Sequence, residues 1–334
     1  MGQIAFAPAE LLLNPTTGEH VTQTLEKQAE VLQVIDTLAS RYLQGKVQAL
    51  RLAMIALLAD GHLLLEDIPG LGKTTLALAL SRALGLSFGR VQCTSDLLPS
   101  DITGLSIFDR EQNNFRFIEG PIFNHILLAD EINRAMPKTQ SAMLEAMEER
   151  KVTIEGVSYP LPDPFMVIAT QNPTEQIGTY PLPESQLDRF LITTGIGYPP
   201  AALEKQIIRS GGIREKIFDI KPLLSHAEIH LAKQAVQNIY LDDKLVDYLL
   251  AIAEATRTHP FISAGISTRG GISMASAARA AAYLDGREYV LPEDVKHIAV
   301  PVGAHRLILH HEHQSLNKRE VMASILSNVP VPMV

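Results

Sequence analysis

The chain has 334 residues, a formal net charge of −8, 46% apolar and 20% charged residues, and a single cysteine, Cys93. That composition suits one large or two medium globular domains, excludes an internal disulfide and fits a reducing compartment. The acidic balance argues against broad attraction to nucleic acid. No apolar run reaches the ~18–20 residues of a membrane span, and the start lacks the basic stretch of a signal peptide, so the expected location is the cytoplasm.

Residues 1–24, broken by Pro8, Asn14-Pro15 and Gly18, read as a loosely ordered lead-in. Apolar residues over 25–59 recur at helical spacing, with an interruption near Gly45. Strands and helices then alternate. Short apolar runs at 63–65, 88–92, 126–129, 165–170 and 190–193 suit buried parallel strands, and 74–84 and 139–149 suit helices. The alternation predicts a mostly parallel sheet between helices. Residues 105–118 and 152–161 alternate polar and apolar side chains around Glu111-Gln112-Asn113 and Glu155-Gly156, the pattern of two hairpins. Beyond Tyr198-Pro199-Pro200 the pattern is helical only, over 202–210, 225–237, 242–258, 271–284 and 292–297. Ser225 and Glu228 form a capping box, and Gly286 is a C-terminal signal for the helix before it. The expected division is 1–44 for the lead-in and a helix, 45–198 for an α/β core, and 199–334 for a helical domain and tail.

The sharpest local signal is Pro69-Gly70-Leu71-Gly72-Lys73-Thr74-Thr75, an apolar strand's exit that opens a helix. A polyphosphate needs inward-pointing backbone amides, a helix N-terminus and a cation at its outer phosphates. Gly70 and Gly72 allow close backbone approach, Lys73 supplies the cation, and Thr74 offers a hydroxyl to Mg2+. The strict pattern places a glycine five residues before Gly72, where this chain has Asp67.

Asp130-Glu131 ends the 126–129 run at the carboxyl end of a strand, where open α/β sheets bind ligands. Asp130 would hold Mg2+, and Glu131 would orient and polarise an attacking water. Asn172 tips the 165–170 run and could bond the γ-phosphate or that water, although an Asn-Pro turn has the same pattern. Arg189 is either an arginine finger or a partner of Asp188. Arg269, just before a helix of the second domain, would reach nucleotide only if that domain folds back over it. His305-Arg306 reads as packing and solvation on a helix, His310-His311-Glu312-His313 as a solvated helix end, and Glu145, Glu148 and Glu149 as a solvated face.

Together these residues resemble the AAA+ ATPases, and within them the MoxR family, over about residues 45–315. The resemblance includes Thr94-Ser95-Asp96-Leu97-Leu98-Pro99-Ser100-Asp101-Ile102-Thr103-Gly104 and Phe117-Ile118-Glu119-Gly120-Pro121-Ile122-Phe123. It also includes Asp130-Glu131-Ile132-Asn133-Arg134-Ala135 and Leu182-Pro183-Glu184-Ser185-Gln186-Leu187-Asp188-Arg189-Phe190. It implies an AAA+ P-loop core, a parallel sheet between helices, followed by an all-helical lid. Lys73 and Thr74 then look like Walker A, Asp130 and Glu131 like Walker B, and Asn172 like sensor 1. Arg269 looks like sensor 2 of the same subunit, and Arg189 like a finger that reaches a neighbour's ATP. The implied protein hydrolyses ATP with Mg2+ in a homo-oligomeric, usually hexameric, ring. Residues 105–118 look like the helix-2 insert and 152–161 like the pre-sensor hairpin, both facing the ring's centre. Its implied work is chaperone-like remodelling or maturation of a client protein, including metal-cofactor insertion, with a von Willebrand factor A partner. A magnesium-chelatase-type motor subunit and a nucleotide-gated scaffold with little hydrolysis are the alternatives; acidity disfavours a DNA-translocating ring.

Overall fold

The computed structural model describes residues 15–333, apart from 112, 175–176 and 211–213. The first part of the expected lead-in, 1–14, lies outside the described residues. From Pro15 the chain is already helical: α1 runs Pro15–Arg41 and α2 Val47–Leu58, with Gly45 between them at φ +76°. The lead-in therefore ends earlier than the breakers suggested. Proline is tolerated in a first helical turn, and an interior glycine such as Gly18 costs only ~1 kcal/mol.

Five strands form the sheet: β1 (Leu63–Glu66), β2 (Phe88–Gln92), β3 (Ile126–Asp130), β4 (Met166–Gln171) and β5 (Ile192–Thr194). Their order is β2-β3-β4-β1-β5, and every pairing is parallel. Two long helices of this region, α3 (Lys73–Ala83) and α4 (Pro137–Glu149), cover opposite faces. Strand residues alternate between two apolar clusters. Leu63, Leu65, Leu128 and Ile168 face α2 and α3, while Leu64, Leu127, Ala129 and Val167 face Met143, Leu144 and Met147 of α4. Burial on both faces is why the strands read as continuous apolar runs. With all strands parallel, the loops after β1, β3 and β4 gather at one end of the sheet.

Two hairpins stand outside the sheet, Gly104–Asp109 with Asn114–Glu119 and Lys151–Ile154 with Val157–Pro160. Phe117 of the first stacks on Tyr159 of the second at 4.1 Å between ring centroids. At the tip, Phe108 and Phe115 pair edge-on and are largely exposed.

The helical half comprises α5 (Ala201–Ser210), α6 (His226–Asn238), α7 (Asp243–Arg257), α8 (Thr268–Leu284), α9 (Pro292–Gly303) and α10 (Lys318–Asn328), with shorter turns between. The Ser225–Glu228 capping box is formed. Helix α8 starts at Thr268 because the Ser267 hydroxyl accepts from Gly270 N at 3.2 Å. This half shares one apolar cluster with the sheet. It runs from Leu38 of α1 and Leu50 of α2 through Leu65 to Tyr248, Tyr283 and Val302. Helices α6–α9 thus pack beside the sheet, while α5 and α10 reach its carboxyl end through Ile208 and Arg319. Among the described residues, no helix is long and apolar enough to cross a membrane.

Candidate nucleotide site

β1 hands the chain to the phosphate loop through Glu66 and Asp67. Gly70 and Gly72 have φ of +87° and +97°, and nothing lies within 4 Å of where a Gly70 side chain would begin. Glycine is needed there for backbone conformation. Lys73 opens α3 and is 9% exposed, and its ammonium donates to the Asp67 carbonyl at 2.5 Å. Burial pulls its pKa below the ordinary lysine range, while Asp67, Asp130 and Glu131 pull it back up. Lys73 therefore sits in the field of both acids at the end of β3.

Asp67 has a structural task that its deviation from the glycine pattern concealed. Its carboxylate accepts from Ile196 N at 2.6 Å and Gly197 N at 2.8 Å. Lys46 donates to the Gly197 carbonyl. The phosphate loop is thereby fastened to the segment that leads from β5 into α5. Beside it a cavity of about 480 Å³ is lined by Tyr42, Leu43, Pro69, Gly72, Tyr198 and Ile208, among others. An apolar cleft of this size flanking a phosphate loop suits the nucleoside part of the ligand.

At the end of β3, Asp130 accepts from the Thr170 hydroxyl at 2.8 Å and pairs with Arg90 at 2.7 Å. Glu131 has φ +57° and ψ +52°, a left-handed conformation uncommon outside glycine and concentrated at functional sites. Its backbone N–H donates to the same Thr170 oxygen at 2.9 Å, and its carboxylate lies 3.2 Å from Gln92 Nε2 and 3.3 Å from Arg134. One threonine thus sets the orientation of both acids. Asn172 uses its side-chain oxygen locally, accepting from the backbone and hydroxyl of Thr174 at 3.2 and 2.8 Å. The turn and the candidate role coexist, since the amide nitrogen is the end left for a ligand. Thr170, Arg90 and Gln92 were not singled out from sequence; their alternate positions on β4 and β2, beside the tip of β3, were the available signal.

Thr74 and Asp130 offer the hard oxygen donors that Mg2+ prefers. Among the described residues, no group of three or more His, Cys, Asp or Glu could hold a metal. The donor set therefore fits an ion completed by phosphate oxygens and water, the usual arrangement for Mg2+ with a nucleotide. Thr74 and Arg90 line one cavity of about 570 Å³.

Arg189 and Arg269 are elsewhere. Arg189 Nε lies 3.1 Å from Glu148, near the end of α4, and Arg269, in the first turn of α8, pairs with the same carboxylate. Both line a polar cavity of about 300 Å³ with Asp60, His62 and Arg306. These residues surround the amino end of the sheet: His62 precedes β1 and its carbonyl accepts from Leu191 N, just before β5, at 2.9 Å. The phosphate loop leaves the other end of β1, at least ~13 Å away at 3.3 Å per strand residue. Arg269 is therefore placed with Arg189, at the opposite end of the sheet from the phosphate loop. The reason is the shared apolar core, which seats α8 against α2. Glu148 lies on the exposed face of α4, as expected, and there the Arg269 guanidinium holds its carboxyl below the ordinary range.

His62 is buried. Its Nε2 donates to the Met147 carbonyl at 3.2 Å and its Nδ1 accepts from Val167 N at 3.0 Å, and burial pulls its pKa down to about 3. His305 and Arg306 are also buried, packed as expected but in a 3-10 turn and shielded from solvent. His311–His313 forms a short surface turn. Cys93 is buried and its thiol is pushed up to about 12, the behaviour of a small apolar residue.

Comparison with known proteins follows the same division. The family model described as the ATPase family associated with various cellular activities (AAA) matches residues 62–192, and the AAA lid domain model matches 254–325. The chaperone MoxR1 of Mycobacterium tuberculosis is 38% identical over 305 residues, covering 88% of this chain and 80% of that one. The uncharacterized protein YeaC of Bacillus subtilis is 44% identical over 296 residues, covering 88% and 92%, and protein MoxR of Paracoccus denitrificans is 32% identical, covering 86% and 92%. The crystal structure of a putative ATPase from Cytophaga hutchinsonii superposes with a TM-score of 0.88 at 34% identity, over 96% of this chain and all of the other. With a parallel sheet, a phosphate loop, a helical lid and relatives of this similarity, the chain belongs to the MoxR family of AAA+ ATPases.

Proposed function

We propose that this chain hydrolyses ATP at a site shared between two copies. The observation that carries the reading is the division of the polar residues between the two ends of the sheet. Lys73, Thr74, Asp130, Glu131 and Asn172 gather at the carboxyl end, while Arg189 and Arg269 gather at the amino end around Glu148. Head-to-tail contact between copies brings one end of one chain against the opposite end of the next, and such heterologous contacts form a ring where the rotation between copies closes. A hexameric ring is the arrangement we favour.

Within the site, the loop 69–75 would cradle the phosphates with its amides, and Lys73 would bind their outer oxygens. Thr74 and Asp130 would hold Mg2+, which neutralises phosphate charge when bound. Glu131, aimed by its left-handed backbone, would orient the attacking water and accept its proton. Asn172 would donate its amide to that water or to the γ-phosphate. Arg189 and Arg269 of the adjacent copy would meet the charge that develops on the transferred group. We take 45–198 as the core, 199–334 as the lid and tail, and 1–44 as the preceding segment. The work done is chaperone-like remodelling or maturation of a client, including metal-cofactor insertion. It would proceed with a von Willebrand factor A partner and with the two exposed hairpins nearest the client.

Glu131→Gln should keep nucleotide affinity and lose phosphate release. Arg189→Ala subunits, inactive alone, should regain activity when mixed with Glu131→Gln subunits, because an intact Glu131 then meets an intact Arg189. Turnover by Glu131→Gln would refute its role, and no rescue at any ratio would refute the shared site. Binding without turnover in the unmodified chain would favour a nucleotide-gated scaffold.

A further inference from the structure

We infer that Arg306 is a positioning residue that joins the Arg189 segment and the Arg269 helix into one unit. The inference rests on the shared-site reading above and adds to it the part that presents both arginines.

Arg306 is 8% exposed, and a buried guanidinium is tolerated only where its donors are met. Here they are met by the segment that carries Arg189. Nε donates to the Asp188 carboxylate at 2.7 Å, and one terminal nitrogen donates to the Asp188 and Phe190 carbonyls at 3.2 and 3.0 Å. The other reaches the Leu191 carbonyl at 3.3 Å and the Val302 carbonyl. The residues on both sides of Arg189 are thus fixed by one planar group from the lid, leaving the Arg189 side chain to project into the polar cavity. The same guanidinium reaches the Ser273 hydroxyl at 3.3 Å, one turn after Arg269 on α8. Gly270, next to Arg269, makes room for it. A side chain there would begin 3.1 Å from Arg306 Cδ and 2.7 Å from Ile266 Cγ2.

Two variants of the full chain test this. Arg306→Lys keeps the charge but not the fork that spans several acceptors, and Gly270→Ala keeps every charge while crowding the Arg306 stem. Each should bind a fluorescent ADP analogue at its own phosphate loop within about twofold of the unmodified chain. Each should hydrolyse ATP roughly ten- to a hundredfold more slowly at saturation, part of the 10³–10⁵-fold an arginine finger supplies. Activity should rise on mixing with Glu131→Gln, whose arginines are intact. A saturating rate equal to the unmodified chain's in both variants overturns the inference. So does loss of nucleotide affinity in step with rate without rescue on mixing, the pattern of general structural damage. If Arg306→Lys does not fold, Gly270→Ala alone decides by the same criteria. Arg189→Ala mixed with Glu131→Gln runs alongside. Its failure refutes the shared site itself and this inference with it, whereas its success with unaltered Arg306→Lys and Gly270→Ala refutes the positioning role alone.

Discussion

Asp67→Gly writes the strict phosphate-loop pattern into this chain, and it should weaken the protein. The Asp67 carboxylate accepts two backbone N–H bonds, at 2.6 Å from Ile196 and 2.8 Å from Gly197. Hydrogen bonds to a charged group contribute about 1.5–3 kcal/mol each. Both use the same oxygen and the site is half-buried, so water replaces part of the loss; about 2–4 kcal/mol is the expected cost. Glycine adds about 0.5–1 kcal/mol through the freedom it gives the unfolded chain. The released segment carries Tyr198 and Pro199, which line the cavity beside the loop. Nucleotide affinity should therefore fall about tenfold, or 1.4 kcal/mol. Asp67→Asn, which keeps an acceptor but not the charge, should fall between. The chain has no tryptophan, so urea unfolding is best followed by far-ultraviolet circular dichroism, with nucleotide binding measured by calorimetry. An Asp67→Gly midpoint equal to or above the unmodified chain's, with equal or tighter binding, would refute the brace.

Two further outcomes follow from buried contacts. His62 is held neutral, with its pKa at about 3 against an ordinary 6.5. Below pH 6.5 the unfolded chain takes up a proton that the folded chain refuses. Stability from this group is thus full above 6.5 and is lost as pH falls toward 3, by up to ~1.4 kcal/mol per unit. The acid limb of a stability–pH curve should flatten in His62→Gln, and an unchanged slope would count against the assignment. Gly104, at φ +90°, holds the base of the first hairpin where any side chain would meet the Ile118 carbonyl. Gly104→Ala should loosen Gly104–Glu119, so that proteases cut the hairpin at least ~10-fold faster while the sheet stays folded.

Much of the sheet was legible because its signals are local. Five apolar runs became five parallel strands within a residue or two at most ends, since burial on both faces imposes that composition. The hairpins declared themselves by period-two alternation, and the phosphate loop by glycines whose backbone conformations other residues resist. Asp130 and Glu131 followed from their place at the end of a buried strand. Less legible was whatever depends on a partner far along the chain. Thr170 looks like an ordinary strand residue until β3 lies beside β4 and its hydroxyl meets both acids. Glu148 belongs to an exposed helix face until Arg189 and Arg269 arrive from 41 and 121 residues away. Arg306 reads as packing and solvation on a helix until the fold buries it against Asp188, 118 residues earlier.

By itself, then, the sequence determined the phosphate loop, the strands and their acids, and the kinship with MoxR-type AAA+ ATPases, because short spacings and backbone preferences encode them. Tertiary structure decided where the second domain sits, and so which residues stand together at each end of the sheet. The apolar surface of α1, α2 and α8 draws the lid to the side of the sheet. That burial carries Arg269 away from the chain's own loop, sets it beside Arg189, and makes Asp67 a brace where the pattern expects a glycine.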